Sequence, residues 1–468
     1  MKNPIYILLS IAFLLLLFAF ACNNAEPKED AGEKLTKDTL TSVVKPDERT
    51  KDAVIYEVNI RQYTEEGTFK AFEKHIPRLD SLGVDILWLM PIYPISEKNR
   101  KGELGSYYAV ADYKGVNPNF GIEEDLKSLI ATAHQHDMLV ILDWVANHTG
   151  WDNHWIEQHP EWYTKDSTGT VIMPEGTDWS DVADLNYDNE EMRKAMTDAL
   201  VYWVKEFDVD GYRCDVAGMV PTEFWNNLRP KLEEIKPVFM LAEAEQLDLH
   251  EKAFEMGYAW HLHHVMNNVA SGKQNADSLR KYFKRAKEKY PQEVYRMSFT
   301  SNHDENSWNG TVFERMPDSY KTFAALTFAA PGMPLIYSGQ EAGLDKRLAF
   351  FKKDQIEWQA HEMGELYKNL TRIKAENPAL HNGAYGGKME FVKTTKDNII
   401  FAFSRTKDDN TVLSVFNFSD KQTEFKIKKT KGTFKDALSG EKTEINKGTK
   451  MKLEPWEFKI FIKKSSDE

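Results

Sequence analysis

The sequence predicts a (β/α)8 barrel with a small domain inserted after its third strand and an antiparallel β-sandwich at the C-terminus. Three observations lead there. From residue 52 onward, short β-like runs alternate with amphipathic helical stretches, the pattern of a parallel α/β sheet. Eight such runs can be counted, the number that closes a barrel. After Pro378 the pattern changes to strand runs broken by Gly, Asp-Asn and Lys-rich turns.

The N-terminus reads as a targeting segment. Lys2 precedes an apolar run from Ile5 to Ala21, and Ala19-Phe20-Ala21-Cys22 resembles a bacterial lipobox. Residues 1–21 are therefore expected to be a lipoprotein signal peptide, with Cys22 lipidated; the alternative reading is a transmembrane anchor. Residues 22–50 are polar, lack periodicity and read as a flexible tether. This places the protein on a membrane through its lipid, at the periplasmic or cell surface. The other cysteine is Cys214, so no internal disulfide is expected.

The barrel is expected over residues 51–380. Its strand candidates are 54–59, 84–89, 139–143, 211–215, 238–242, 260–264, 297–300 and 335–337, with helices between them at 69–82, 122–136, 190–207, 223–235 and 277–289. The sixth strand rests on the count. Residues 144–188 form a long insertion rich in Trp and Tyr, and such a loop inside a barrel is usually functional. Its aromatics either stack on sugar faces or form the core of a small subdomain. Residues 381–468 make the C-terminal sandwich.

The chain's 468 residues accommodate such a barrel with a second domain, and its net charge of −13 argues against nucleic acid as a partner. The chemistry lies in four segments at strand ends: Asp143-Trp-Val-Ala-Asn147-His148, Gly211-Tyr-Arg213-Cys-Asp215, Leu241-Ala-Glu243 and Ser301-Asn302-His303-Asp304. Residues two apart on a strand share a face, so Arg213 and Asp215 point together into the barrel mouth. The arginine is expected to keep Asp215 ionised and lower its pKa, as a glycosidase nucleophile requires. Glu243, between two alanines, is expected to have a raised pKa suited to a general acid, with Glu245 as the alternative. His148 and His303 fit donors to sugar hydroxyls, and Asp304 fits a stabiliser of positive charge in the transition state. The histidines at 261, 263 and 264 invite a metal reading, but strand alternation would put only the first two on one face.

These four segments resemble the signature regions of the α-amylase family of glycoside hydrolases. Gly83-Val84-Asp-Ile86-Leu-Trp88-Leu-Met-Pro91-Ile92, Val182-Ala-Asp184-Leu185-Asn186 and Gly332-Met-Pro334-Leu-Ile-Tyr337-Ser-Gly339-Gln-Glu341 resemble further motifs of that family. The resemblance implies a retaining α-glucan hydrolase acting on starch, maltooligosaccharides or cyclodextrins. By position it makes Asp215 the nucleophile, Glu243 the acid/base and Asp304 the transition-state stabiliser. Arg213, His148 and His303 would contact the sugar at the cleavage point, and Tyr108 would stack on it. Asn147 and Asp184 match two calcium-ligand positions, but Met219 stands where a third ligand is usual, and a thioether is a poor ligand for a hard cation. Asp215-Val216-Ala217 followed by Glu223-Phe224-Trp225 is similar to the cyclomaltodextrinase and neopullulanase branch. An exo-acting oligo-1,6-glucosidase or transglycosylase is the alternative within enzymes. A non-catalytic glucan-binding lipoprotein is the alternative outside them, although such relatives usually lose one of the acids that this chain keeps. Oligomeric state is left open.

Overall fold

The computed structural model describes residues 36–464; the expected signal peptide, Cys22 and the first part of the tether lie outside them. Eight parallel strands close a barrel: β1 (Ile55–Val58), β2 (Ile86–Leu89), β3 (Leu139–Trp144), β6 (Gly211–Cys214), β7 (Phe239–Ala242), β8 (Met256–Tyr258), β9 (Tyr295–Ser298) and β10 (Met333–Tyr337). Each pairs with its sequential neighbour in the barrel, and β1 pairs with β10 to complete the ring. Between β3 and β6 the insertion contributes a two-stranded antiparallel sheet of β4 (His148–Gly150) and β5 (Val182–Asp184).

Alternation along the strands sorts their side chains. Ile55, Ile86, Ile141, Leu241, Met256 and Leu335 belong to the cluster that fills the barrel. Their neighbours Tyr56, Leu87, Leu142 and Ile336 join the larger cluster packed against the surrounding helices. The same alternation carries Glu57, Asp143 and Arg213 onto the inner face, one step nearer the strands' C-terminal ends. An apolar plug thus lies beneath a polar layer, and each buried large aliphatic in the plug contributes about 1.5–3 kcal/mol.

The sixth strand differs from expectation. It is β8 at Met256–Tyr258, whereas residues 260–264 open the helix Trp260–Ala270. A three-residue strand shows too few alternations to register as a pattern, and Leu262, Val265, Met266 and Val269 are buried at helical spacing. The three histidines therefore sit on a helix. His263 is buried there, with Nε2 2.9 Å from Glu305. The stretch expected as one helix at 69–82 is two, Phe69–Glu73 and Ile76–Leu82, divided just before Pro77.

The tether is not free over its last part. Thr41 donates to Glu251 at 3.0 Å, Val44 to the carbonyl of His250 at 3.1 Å, and Tyr385 to the carbonyl of Pro46 at 2.9 Å. The C-terminal domain contains β11 (Lys388–Phe391), β12 (Ile400–Lys407), β13 (Asn410–Asn417), β14 (Thr423–Lys426), β15 (Gly432–Asp436), β16 (Lys442–Ile445), β17 (Lys450–Leu453) and β18 (Phe458–Lys464). Six of them form an antiparallel sheet in the order β11-β12-β13-β18-β15-β16, and β14 and β17 form a smaller pair. Val392, Ile400, Leu413, Phe425, Phe434 and Phe461 build its own core. Phe401 and Phe418 turn instead toward the barrel, stacking on Phe283 and Phe323.

Candidate active site

The loops beyond the C-terminal ends of the strands enclose a cavity of about 560 Å³. Tyr108, His148, Asp215, Glu243, His303 and Asp304 all line it, so the expected site residues other than those for metal and lipid converge. Arg213 lies directly beneath them, fully buried.

Backbone pairing explains the convergence. Asp215 and Glu243 continue their strands by one residue, with the Asp215 N–H donating to Trp144 O at 2.9 Å and the Glu243 N–H to Cys214 O at 3.0 Å. The Arg213 guanidinium then joins three strands. Nη1 donates to Asp143 at 2.8 Å and Asp215 at 2.9 Å, and Nη2 lies 2.6 Å from Glu243 Oε2. The same Oε2 accepts the backbone N–H of Val216 at 3.0 Å. Val216 holds a left-handed conformation at φ 35°, which a β-branched residue rarely adopts; the strain sits between the two acids.

Two residues without an assigned role in the sequence reading prove central. Asp143, wholly buried, also accepts from Trp88 Nε1 at 3.1 Å and Tyr108 OH at 3.0 Å. Glu57, also wholly buried, lies 2.5 Å from His303 Nδ1, while His303 Nε2 meets Tyr108 OH at 2.8 Å. Their signal was present: each is an acid on the inward side of an otherwise apolar strand, where an unpaired charge would be costly.

The electrostatics correct one expectation. Burial, together with the neighbouring acids Glu243, Asp143 and Asp304, holds Asp215 well above the ordinary aspartate range, and the pull of Arg213 does not reverse this. Arg213 is divided among three carboxylates, so it cannot be credited wholly to one. Glu243 is also raised, chiefly by burial, against Arg213 and with Asp304 adding to the rise. The two acids face each other across one guanidinium and titrate as a pair. Burial disfavours charge on His303, but Asp304 and Glu57 outweigh it and lift its pKa to about 9. Burial depresses His148 to about 3, leaving a neutral ring. Glu245 is drawn out of the cavity by an ion pair with Arg296 at 2.5 Å.

The aromatics of the inserted region divide between packing and the cavity. Trp155 and Trp162 pack edge to face at 5.2 Å within the large buried cluster, whereas Trp179 lines the cavity beside His148. Trp308, Phe350 and Phe351, on loops after β9 and β10, form another wall of the cavity; the sequence reading did not single them out. Asn147 and Asp184 lie near the β4–β5 pair, where His148 and Asp184 are in register. The Asn147 amide is 3.3 Å from His148 Nδ1, Asp184 is raised by burial, and Met219 is exposed. One carboxylate, one amide and a thioether supply little charge for calcium, so this donor set fits the ion poorly. Among the described residues, no group of three or more His, Cys, Asp or Glu could hold a metal. Asn189 caps the helix Glu190–Phe207, its Oδ1 accepting from Met192 N at 3.0 Å.

Comparison with known proteins places these features in context. The model of the α-amylase catalytic domain matches residues 48–175 and 175–382, and that of the maltogenic amylase C-terminal domain matches 389–460. The crystal structure of a noncanonic maltogenic α-amylase, AmyB from Thermotoga neapolitana, is similar with a TM-score of 0.82 and 28% identity, over 89% of this chain and 99% of that one. An α-amylase from Lactobacillus plantarum gives 0.79 and 30%, over 88% and 99%. By sequence, the α-amylase MalA of Haloarcula japonica is 27% identical over 410 residues, 83% of this chain but only 58% of that protein's length.

Proposed function

The chain belongs to the α-amylase family of glycoside hydrolases, and from that premise we propose that it is a retaining hydrolase of α-1,4-glucosidic bonds in starch-like glucans and maltooligosaccharides. The observation that carries the reading is the single Arg213 guanidinium holding Asp215 and Glu243 together at the base of an aromatic-lined cavity. Both carboxyl groups contact one guanidinium, and such a closely spaced pair flanking one bond suits retaining rather than inverting hydrolysis. Relatives named maltogenic α-amylase and cyclomaltodextrinase support the choice of an α-glucan.

In this reading one proton is retained by the acid pair and resides on Glu243 as the glycosidic oxygen arrives. Glu243 Oε2 already accepts from Val216 N–H and contacts Arg213, leaving Oε1 to carry the proton. Asp215 attacks the anomeric carbon as Glu243 protonates the departing oxygen, giving a covalent glycosyl-enzyme. Glu243, now a base, takes a proton from water, which attacks the same carbon and releases Asp215. Asp304 and the ring of acids stabilise the positive charge that develops on the sugar. His303, held as a cation by Glu57 and Asp304, fixes the Tyr108 hydroxyl beside the sugar, and neutral His148 offers a donor to the sugar hydroxyls.

Glu243→Gln should lose activity on maltoheptaose at least ~100-fold, yet far less on an aryl glycoside whose leaving group needs no proton. Equal losses on both substrates would remove Glu243 from the acid role. Attachment through a lipidated Cys22 belongs to the same proposal; labelled fatty acid that remains on a Cys22→Ala chain would refute it.

A further inference from the structure

Charge is spread unevenly over this chain. Its net charge is −13, yet residues 426–452 hold nine lysines against three acids. Six of these lysines gather at one corner of the C-terminal domain. β14 ends at Lys426 and β17 begins at Lys450, and the two stand directly opposite each other in register. Like charges so placed destabilise a strand pair. The turn after β14 carries Lys428, Lys429 and Lys431, and the turn before β17 carries Lys447. Ile427 N–H donates to Thr449 O at 3.1 Å and Gly448 N–H to Ile427 O at 2.7 Å, which ties the two turns together. All six lysines are exposed, and among the described residues none pairs with a carboxylate. The acids of the segment are engaged elsewhere: Asp436 lies 3.1 Å from Lys459, Glu444 accepts from the Asn446 amide at 2.6 Å, and Glu441 sits in the turn at the other end of β15 and β16.

The basic corner continues onto the barrel. Lys428 N–H donates to Lys393 O at 2.8 Å, Lys393 lies 3.4 Å from Asp397, and Asp397 lies 3.9 Å from Arg280 on the helix Ala276–Lys289. Arg280, Lys284 and Lys287, spaced by four and three, share a face of that helix. Lys281, Lys284, Arg285 and Lys287 are exposed, again without carboxylate partners among the described residues. At the helix's far end Lys37 Nζ donates to Lys287 O at 3.1 Å, so the start of the described chain meets the same basic helix. Thr36 stands fourteen residues after Cys22, a span of at most about 50 Å at full extension.

We propose that this basic face, from the helix Ala276–Lys289 to the lysine corner, lies on the anionic phospholipid surface that holds the lipid of Cys22. The inference rests on the lipid attachment proposed above. A lipid fixes one point of the chain; a second contact, charge to charge, fixes which way the barrel faces. Clusters of four to eight basic residues bind anionic headgroups, each charge strengthening binding about five-fold. The molecule as a whole is acidic and would be repelled, so attraction must come from the local patch.

The test uses the chain from Cys22 onward, made without lipid, sedimented with vesicles of phosphatidylcholine alone or of phosphatidylcholine and phosphatidylglycerol in equal parts. It should sediment with the anionic vesicles only and be released at ~1 M salt. Lys428→Gln/Lys429→Gln/Lys431→Gln should weaken that binding ~100-fold. Lys165→Gln/Lys194→Gln/Lys205→Gln, which removes the same charge from the inserted region and the helix Glu190–Phe207, should leave it unchanged. Absence of sedimentation, equal sedimentation with both vesicles, or equal losses in the two variants would overturn the role of the basic face. A Cys22 that carries no lipid in the cell would refute the attachment alone, because vesicle binding is measured without it.

Discussion

At His303 two acids decide the charge state of a fully buried imidazole. Asp304 and Glu57 raise its pKa from 6.5 to about 9 despite burial. A raised folded-state value means that the stabilisation is complete below the unfolded pKa and is lost as pH climbs through about 9. Glu57→Gln removes one of the two acids, so burial counts for more and the imidazolium discharges at lower pH. The melting temperature of the unaltered protein should therefore fall more steeply between about pH 6.5 and 9 than that of Glu57→Gln. Parallel curves would mean that Glu57 does not hold the charge. The residue scale is also where sequence reasoning read most and missed most. Asp215, Glu243 and Asp304 could be found because each stands in a short, distinctive strand-end segment. The division of Arg213 among three acids could not, because Asp143 reaches it across a neighbouring strand.

Among the elements, β6 shows how closely the barrel is fitted. Gly211 opens it at φ +142°, and a Cβ there would lie 1.9 Å from the carbonyl oxygen of Phe239 on β7. Gly211→Ala must push two paired strands apart, directly below Arg213 and Asp215. The expected cost is ~3 kcal/mol or more, read as a lowered denaturation midpoint; a change within ~0.5 kcal/mol would show that the strand start yields freely. Seven of the eight strands were legible as short β-like runs between helical stretches, clearest where the run is long and apolar, as in Ile86–Leu89 and Leu139–Trp144. The sixth was not, because Met256–Tyr258 is held by its two neighbours and by burial, neither of which a single sequence displays.

Across the whole molecule, a buried cation on the sandwich helps to fasten it to the barrel, beside Arg280, which donates to Ile400 O at 2.7 Å. Arg405 on β12 donates to the carbonyls of Gly387 at 2.9 Å, His381 at 2.6 Å and Ala330 at 3.1 Å, with Ala329 and Leu380 at 3.3 Å. Ala329 and Ala330 end a barrel helix, so the guanidinium takes up orphan carbonyls at its C-terminus. Arg405→Leu would leave these acceptors buried and unpaired, at a cost of about 3–5 kcal/mol. It should also split thermal unfolding into two transitions; a single transition at an unchanged temperature would show that apolar contacts such as Phe283 with Phe401 suffice. The sequence marked this domain by its change of pattern after Pro378 but gave no sign of the fastening, which joins residues distant along the chain.

As the nucleophile, Asp215 should form a covalent bond to the sugar. A slowly turned-over fluorinated α-glucosyl fluoride, incubated with the unaltered enzyme and followed by digestion and mass spectrometry, tests it directly. The expected result is one fluoroglycosyl group on the peptide bearing Asp215, absent from Asp215→Asn. An adduct on any other residue, or steady release of fluoride with no adduct at all, would contradict it.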